Sequence, residues 1–338
     1  MSNLLDPASS ATSIHVLAGV ILRSDGKVLV AQRPEGKSFA GAWEFPGGKR
    51  ERGEERLAAL VRECEEELGI QVRSARPLIR YKHHYPELTV DLDAWLISAW
   101  TGKTQGNEGQ RLGWYRPEEL MALGLLPADG VVLSALRLPS LCAVTPKQCK
   151  DEEAFLDELE ILAGKKQVPL VVFRRPDLES EVVLALAVAA VNRIDGTLTQ
   201  LQLHGDPARL APWINAATEN LIPRLSSVVA GLHIPGKFLD ELDERPLRSV
   251  SLFGVSCHDG EQLKKALTVN ADYAFLGPVK PTTSHPGEPG MGWDMFESLV
   301  RELPLPVYAI GGLGPEHLAE AWAHGAQGIA AIRSLWPG

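Results

Sequence analysis

Three glutamates are spaced so that they fall together on one face of a predicted helix. Residues 54–68 have helical periodicity, and at about 100° per residue Glu63, Glu66 and Glu67 share one arc, whereas Glu65 lies away from it. Carboxylates at positions i, i+3 and i+4 repel one another, so their clustering favours a bound cation. Clustered carboxylate oxygens are typical ligands of Mg²⁺ and Mn²⁺.

The three glutamates also fit a simpler interpretation, in which they form a solvent-exposed helix face that binds no metal. Acidic helix faces that are exposed to solvent are common, and the three carboxylates alone do not exclude that alternative. Gly69 follows the segment and is a predicted C-terminal cap. The predicted core stripe of the helix consists of Leu57, Leu60, Val61, Cys64 and Leu68.

The elements around this helix have a mixed α/β pattern. Residues 15–22 and 27–32 are predicted to be strands, and Asp25-Gly26 between them is a hairpin turn signal. Two further strands are predicted at 76–82 and 89–100. These strands and the acidic helix predict one α/β domain over residues 14–138, preceded by a disordered tail at 1–13.

After Pro139 the pattern changes to short apolar runs, each followed by a helical stretch. Alternating strands and helices predict a parallel sheet, and eight such units predict a (β/α)8 TIM barrel over residues 139–338. The predicted strands are 141–145, 168–173, 198–203, 228–234, 250–256, 271–277, 306–312 and 328–332.

Composition limits the classes of function. The net charge of −9 argues against binding to a nucleic-acid polymer. The four cysteines form no CxxC pair, which predicts neither a disulfide scaffold nor a zinc site and favours a reducing, cytoplasmic location. The longest apolar run, 182–191, is shorter than a membrane span, and the first residues do not have the pattern of a signal peptide. We therefore expect a cytoplasmic protein without a membrane partner.

The residues that flank the three glutamates distinguish this helix from an ordinary solvent-exposed acidic face. They match the Nudix box, G-x5-E-x7-R-E-U-x-E-E-x-G-U, so the region resembles the Nudix hydrolases. Further motifs resemble the MutT-type branch, which removes oxidised guanine nucleotides: Arg33, the run 44–49 (EFPGGK), 108–110 (EGQ) and 127–128 (PA). The residues that carry the box are Gly48, Glu54, Arg62, Glu63, Cys64, Glu66, Glu67, Gly69 and Ile70.

This resemblance implies a fold, a reaction and a set of site residues. The fold is an α/β/α sandwich on a mixed sheet, and water attacks a nucleoside triphosphate to give monophosphate and diphosphate with Mg²⁺ or Mn²⁺. Glu63 or Glu67 takes the proton, while Glu54 and Arg62 hold the ligand helix against its loop. The implied metal ligands are Glu63, Glu66, Glu67, Glu108 and the Gly48 carbonyl. The implied substrate-binding residues are Arg33, Glu44, Phe45, Lys49 and Asp129.

One residue departs from the MutT-type pattern, at a position where that pattern has a contact with the nucleotide base. Bacterial enzymes of this type have an asparagine where this chain has Asp129. An ionised aspartate only accepts hydrogen bonds, whereas a protonated one both donates and accepts. The resemblance implies 8-oxo-dGTP as the substrate. Asp129 in place of asparagine leaves the base preference open. In the structural alternative, Asp129 is only a turn residue before Gly130.

The barrel segment resembles the thiamine phosphate synthase/TenI family. Gly311, Gly312, Arg333 and Ser334 correspond to its phosphate-binding loops after strands 7 and 8. The diphosphate and metal residues depart from the family pattern. Arg174 is retained, but Pro176, His204-Gly205-Asp206, His233-Ile234-Pro235-Gly236 and His285 replace the family's residues.

Three interpretations of the whole chain follow. In the first, a MutT-type hydrolase is fused to a barrel that binds a small phosphorylated thiazole or pyrimidine but no longer joins the two. In the second, the Nudix domain hydrolyses a pyrimidine or thiamine diphosphate. In the third, the barrel is a non-catalytic regulatory module.

Overall fold

The computed structural model describes residues 12–147, 151–164, 168–216, 229–248, 251–282, 287 and 289–336. The chain divides into two compact units near residue 133, and residues 302–304 group with the first unit. The predicted boundary between residues 138 and 139 falls a few residues later. Each unit is described by itself below.

The first unit contains two three-stranded sheets. One has the order β1-β5-β4, in which β1 runs parallel and β4 antiparallel to β5, so the predicted mixed sheet is confirmed. The other is antiparallel, with the order β3-β2-β6. The strands are β1 Thr12–Ile21, β2 Val28–Gln32, β3 Trp43–Glu44, β4 Gln71–His84, β5 Leu88–Thr101 and β6 Arg111–Tyr115.

The acidic helix of the first unit is α1, Arg56–Leu68, and Gly69 ends it in the left-handed conformation with φ of 67°. Its inner face packs with Leu17 and Ile21 of β1 in one apolar core. Two short helices follow, α2 Pro117–Leu120 and α3 Asp129–Arg137. The residues of α1 that lie in the core are Ala59, Leu60, Cys64 and Leu68.

Three local predictions for this unit were wrong. Leu57 is 46% exposed because the buried arc of α1 is turned toward Ala59, so the predicted core stripe is shifted. The predicted tail at 1–13 extends too far, because Thr12 and Ser13 pair with β5. The turn at Gly26 forms, but β1 and β2 pair only at Leu22 and then enter different sheets, so no hairpin follows.

The second unit is a closed barrel of parallel strands in the order β10-β11-β12-β13-β14-β7-β8-β9, as predicted. Its interior is filled by apolar and aromatic side chains such as Tyr273, Phe275 and Tyr308. The strands are β7 Leu141–Val144, β8 Leu170–Arg174, β9 Gln200–His204, β10 Val229–Ile234, β11 Leu252–Cys257, β12 Tyr273–Leu276, β13 Val307–Ile310 and β14 Gly328–Ala331.

The described helices of the barrel lie between its strands along the chain. Within the described ranges, no helix is long and apolar enough to cross a membrane. The helices are α4 Glu152–Gly164, α5 Ser180–Arg193, α6 Pro207–Ala216, α7 Gly260–Thr268, α8 Gly292–Val300 and α9 Leu318–Ala323.

Candidate active site

The glycine loop before α1 is tied to β1 by backbone hydrogen bonds. Leu17 N donates to Gly48 O at 2.8 Å, and Gly19 N donates to Pro46 O at 2.7 Å. This pairing brings Gly48 against the helix, where a Cβ would lie 2.2 Å from Glu63 Oε2. Glycine is therefore required at residue 48 for the carboxylate to approach the loop.

Arg62 connects the carboxylates to the loop. Its Nε and Nη2 donate to the two carboxylate oxygens of Glu54, at 2.9 and 3.1 Å, as a bidentate pair. Its Nη1 donates to Glu63 Oε1 at 2.8 Å and to Glu66 Oε2 at 3.1 Å, and its Nη2 also donates to the carbonyl of Lys49. The guanidinium thus fixes α1 against the segment that precedes it, as the sequence predicts.

Glu67 is the most electrostatically perturbed member of the acidic face. Burial raises the pKa of its carboxyl to about 7, with further contributions from the charges of Glu108, Glu63 and Glu44. The bond from Gly47 N to its Oε2, at 3.0 Å, acts in the opposite direction. A buried carboxyl surrounded by like charges is stabilised in its ionised form by a nearby cation.

The acidic face fits a divalent cation by the chemistry of its donors. Arg62 donates to one oxygen of Glu63 and one of Glu66, and Gly47 N donates to one oxygen of Glu67. The second oxygen of each carboxylate takes no part in these bonds. In the described part of the chain, no three acidic, histidine or cysteine side chains converge as a preassembled metal site. Metal binding therefore requires small side-chain rotations around hard oxygen donors of the kind that Mg²⁺ prefers.

Glu108 reaches this face from a separate loop. Asn107 N donates to Glu67 O at 3.0 Å, and Gln110 Nε2 donates to the same carbonyl at 3.2 Å, so the loop is fastened to the end of α1. Lys37 Nζ donates to Glu108 Oε2 at 2.8 Å. Lys37 was not predicted from the sequence, because nothing in its own segment points to Glu108.

Arg33 and Glu44 form the neighbouring part of the site. Arg33 Nη1 donates to Glu44 Oε2 at 2.5 Å, and its Nε donates to Ser38 O at 2.7 Å. Burial raises the pKa of Glu44, and the charge of Arg33 opposes that effect. Lys49, in contrast, is exposed, and its backbone carbonyl accepts a hydrogen bond from Arg62 Nη2.

Asp129 is buried at the N-terminus of α3. Phe45 N donates to its Oδ2 at 3.2 Å across 84 residues of sequence. Burial raises the pKa of the Asp129 carboxyl to about 8, so the group is mainly protonated at neutral pH. The charge of Glu44 raises the pKa values of both Asp129 and Glu67, so Glu44 lies within electrostatic range of both carboxyls.

Replacing Asp129 with asparagine is expected to change how stability depends on pH. Between its ordinary pKa of 3.8 and about 8, native Asp129 holds a proton that the unfolded chain has released. The free energy of unfolding therefore falls as pH rises through this window, by up to about 1.4 kcal/mol per pH unit. Asparagine has no proton to lose, so Asp129→Asn should gain stability relative to the parent from pH 4 to 8. Urea denaturation across this range measures the difference, and a constant difference would contradict the buried protonated state.

The predicted barrel residues lie together at one end of the strands. Gly311, Gly312, Arg333 and Ser334 all line a cavity of about 730 Å³. Gly311 and Gly312 have φ values of 101° and 68°, which favour glycine. Ser334 Oγ donates to Leu313 O at 2.9 Å, so its hydroxyl proton holds the neighbouring loop. His285 lies outside the described residues.

Comparison with known proteins agrees with this geometry. Residues 17–135 match the family described as NUDIX domain, and residues 141–335 match the family described as thiamine monophosphate synthase. A CTP pyrophosphohydrolase of Escherichia coli K12 is 42% identical over 122 residues, which are 36% of this chain and 90% of that protein. An 8-oxo-dGTP diphosphatase of Haemophilus influenzae is 37% identical over 123 residues, again 36% of this chain and 90% of that protein.

The barrel has relatives of its own. A putative thiamine-phosphate synthase 2 of Aquifex aeolicus is 29% identical over 197 residues, which are 58% of this chain and 97% of that protein. The chain therefore belongs to the Nudix hydrolases through its MutT-type N-terminal domain, and to the thiamine monophosphate synthase family through its barrel. Both resemblances predicted from the sequence are confirmed.

Proposed function

We propose that the N-terminal domain hydrolyses a nucleoside triphosphate to its monophosphate and diphosphate with Mg²⁺ or Mn²⁺, and that its substrate is 8-oxo-dGTP. The observation that carries this proposal is the burial of Asp129, which raises the pKa of its carboxyl to about 8, near Glu44, whose charge raises the pKa values of both Asp129 and Glu67. A group that reads a base thus lies close to groups that hold a metal and phosphates.

Each part of the site has a distinct role in this proposal. Glu63, Glu66, Glu67, Glu108 and the Gly48 carbonyl would hold a divalent cation, which would supply charge neutralisation for the phosphates and an activated water. Glu63 or Glu67 accepts the proton of that water. Arg33 pairs with phosphate oxygens, while Glu54 and Arg62 keep α1 in register with the glycine loop. The Gly48 carbonyl already accepts from Leu17 N, and its second lone pair remains for the metal.

The protonated state of Asp129 explains how an oxidised guanine would be preferred. A neutral carboxyl offers one donor and one acceptor. Oxidation at C8 of guanine places a hydrogen on N7 beside the O6 acceptor, which complements that pair. In unmodified guanine, N7 and O6 are both acceptors and cannot both pair with it. Phe45, whose backbone N donates to Asp129 Oδ2, is also buried.

Cytidine triphosphate is a second candidate substrate. Cytosine carries the N4 amino donor next to the N3 acceptor, which also complements a neutral carboxyl. The relative named CTP pyrophosphohydrolase has 42% identity with this chain, compared with 37% for the 8-oxo-dGTP diphosphatase of Haemophilus influenzae. The two candidates differ in ring size, which a direct comparison of rates will separate.

A substrate panel on the full chain tests this proposal. We expect the highest kcat/KM for 8-oxo-dGTP against dGTP, CTP, thiamine diphosphate and hydroxymethylpyrimidine diphosphate, with diphosphate and not orthophosphate released from the triphosphates. Asp129→Ala should lower the preference for 8-oxo-dGTP over dGTP by about a hundredfold, and lower kcat much less, because it removes base contacts only. Equal cleavage of all nucleotides would refute base reading. A preference for thiamine or pyrimidine diphosphate would support the alternative in which the Nudix domain acts on thiamine-pathway diphosphates.

For the barrel, we propose binding of a small phosphorylated thiazole or pyrimidine at Gly311, Gly312, Arg333 and Ser334, without coupling of the two. Main-chain N–H groups at glycine turns approach a phosphate closely, which supports binding. Coupling releases diphosphate, whose charge must be neutralised, and Pro176 contributes no charge where the family has lysine.

Complementation tests this absence of coupling. We expect that a bacterial strain lacking its thiamine phosphate synthase will not grow without thiamine when it expresses the full chain. Thiamine supplementation and the strain's own synthase serve as controls, and the expressed chain is verified by its nucleotide hydrolysis. Growth without thiamine would show that the barrel is a synthase.

We also propose an intracellular location for the protein. The support is cysteine chemistry, because Cys64, Cys142 and Cys257 are free thiols, as is typical of proteins in a reducing compartment.

A further inference from the structure

The barrel cavity has a charged side that is separate from the glycine loops. Arg174, at the end of β8, lines the cavity, and Lys147 and Lys237 lie at its exposed rim. Among the described residues that line it, Glu316 is the one carboxylate, and that carboxylate contacts His317 at 3.1 Å. The remaining wall is largely apolar and includes Val144, Val172, Phe275, Ile310 and Ile332.

Arg174 has an unmet hydrogen-bonding requirement. Its Nε is buried and has no hydrogen-bond partner. The next residue, Arg175, points away from it and pairs through two bonds with Asp177, at 3.0 and 2.9 Å. Burial lowers the pKa of Arg174, in keeping with a guanidinium that lacks a counter-charge. An unpaired donor of this kind is costly to bury, and an oxyanion would satisfy it.

A directional chain of hydrogen bonds lies beside Arg174. Gln202 Nε2 donates to Leu252 O at 3.2 Å, which turns its Oε1 toward the Tyr273 hydroxyl that donates to it. The Tyr273 oxygen therefore accepts from His233 Nδ1 at 2.9 Å. His233 Nε2 must then accept from the Ser256 hydroxyl, also at 2.9 Å. Both ring nitrogens of His233 are thus committed to protein groups, and neither can bind a metal.

The second histidine of the cavity is also uncharged. His204 stacks on His233 with ring centroids 5.8 Å apart. Burial, with the charges of Arg174 and Lys237, lowers the pKa of His204 to about 3. His204 and His233 therefore supply neither positive charge for an anion nor a ligand pair for a metal. The third histidine of the lining, His258, contacts the carbonyl of Gly277 through its Nδ1 at 2.9 Å.

Asp206, a carboxylate that follows β9, makes its contacts elsewhere. Its Oδ1 accepts from Ala208 N at 2.9 Å at the start of α6, and its Oδ2 lies 3.7 Å from Arg209. It does not line the cavity among the residues described there. The barrel family's divalent cation therefore does not fit the described lining of this cavity, because Glu316 is its one carboxylate and a divalent cation needs several oxygen ligands.

We propose that the barrel cavity binds a small aromatic oxyanion directly on Arg174, without a divalent cation. This inference rests on the proposed ligand-binding role of the barrel and deepens it by naming a second anion position and excluding metal. The guanidinium pairs with the phosphate or carboxylate, and the apolar wall around Phe275 contacts the ring. The hydroxyl of Ser256, whose proton is directed at His233, offers its lone pairs to a donor on the ligand.

Titration of the full chain with phenyl phosphate and with benzoate in EDTA tests this proposal and separates the two oxyanions. Imidazole ¹⁵N NMR of His204 and His233 reports binding from inside the cavity, so anions bound in the Nudix site do not contribute. We expect at least one probe to shift these signals, with an affinity that Mg²⁺ leaves within about twofold. Arg174→Gln should weaken binding by about tenfold to a hundredfold, because a charged hydrogen bond is lost.

Two matched variants complete the test. Arg174→Lys keeps the charge and should retain part of the affinity, whereas Arg209→Gln, on the exposed surface of α6, should bind as the parent does. Failure of both probes to shift the histidine signals, a requirement for Mg²⁺, or unchanged binding by Arg174→Gln would each overturn the proposal. Because EDTA suppresses the metal-dependent hydrolysis, this result and the nucleotide assay can fail independently.

Discussion

Glu67→Gln is expected to lower kcat for nucleotide hydrolysis by about a thousandfold while leaving the fold intact. The amide oxygen can still accept from Gly47 N, so the loop contact at 3.0 Å survives. The negative charge does not survive, so the side chain is a weaker ligand for a divalent cation and can no longer accept a proton. Steady-state release of diphosphate measures the loss, and thermal denaturation checks that stability is retained or increased. An increase is reasonable, because a buried carboxyl repelled by Glu108 and Glu63 has been neutralised.

Glu65→Gln is the matched control on the same helix. Glu65 is exposed and lies outside the arc of Glu63, Glu66 and Glu67. The same chemical change should therefore leave kcat within about twofold of the parent, as expected for a surface substitution. Equal kinetic damage by both variants would contradict the assignment of the acidic face as the metal site.

Substitutions of the adjacent glycines Gly47 and Gly48 are expected to damage different properties, stability for Gly47 and activity for Gly48. A Cβ on Gly48 would meet the flexible end of the Glu63 side chain at 2.2 Å, so Gly48→Ala displaces a carboxylate and not the backbone. We expect a loss of about a hundredfold in kcat, since small misplacement of reacting groups is costly, with little change in melting temperature. A Cβ on Gly47 would instead meet the backbone carbonyl of Leu17 at 2.0 Å, at a φ of 150°.

Gly47→Ala is therefore expected to destabilise the N-terminal domain by about 3 kcal/mol. Urea denaturation of both variants, followed by kinetics on the folded fraction, separates the two effects. Gly53, whose Cβ would meet no atom within 4 Å, has a positive φ of 82° and is a control for backbone strain alone. Gly48→Ala with full activity would show that Glu63 does not need its observed approach to the loop.

Several features were predictable because they are local in sequence. The helix α1 and its cap at Gly69 follow from residue types and spacing within one short segment. The bidentate pair of Arg62 with Glu54 was implied by the Nudix resemblance of that segment. Each barrel strand was predicted from its own apolar run, because a buried parallel strand is apolar on both faces. Repetition of that unit then determines closure.

Other features depended on segments that are distant in sequence. The hairpin prediction failed because β1 finds a longer parallel partner in β5, which no turn signal encodes. The wrong assignment of Leu57 to the core arose because the core-facing arc of α1 is set by the strands that it packs on. Asp206 has the residue type of a metal ligand, but its Oδ1 accepts from Ala208 N at the start of α6 and its Oδ2 lies 3.7 Å from Arg209.

By itself, the sequence determined the two families, the acidic face of α1 and the glycine positions of both domains, because each is a contiguous pattern of residue types at fixed spacing. Only the tertiary structure decided the protonation of Asp129, the missing partner of Arg174 and the direction of the hydrogen bonds at His233. The physical reason is desolvation. The cost of burying a charge or an unpaired donor depends on which distant segments exclude water from it, and residue spacing does not carry that information.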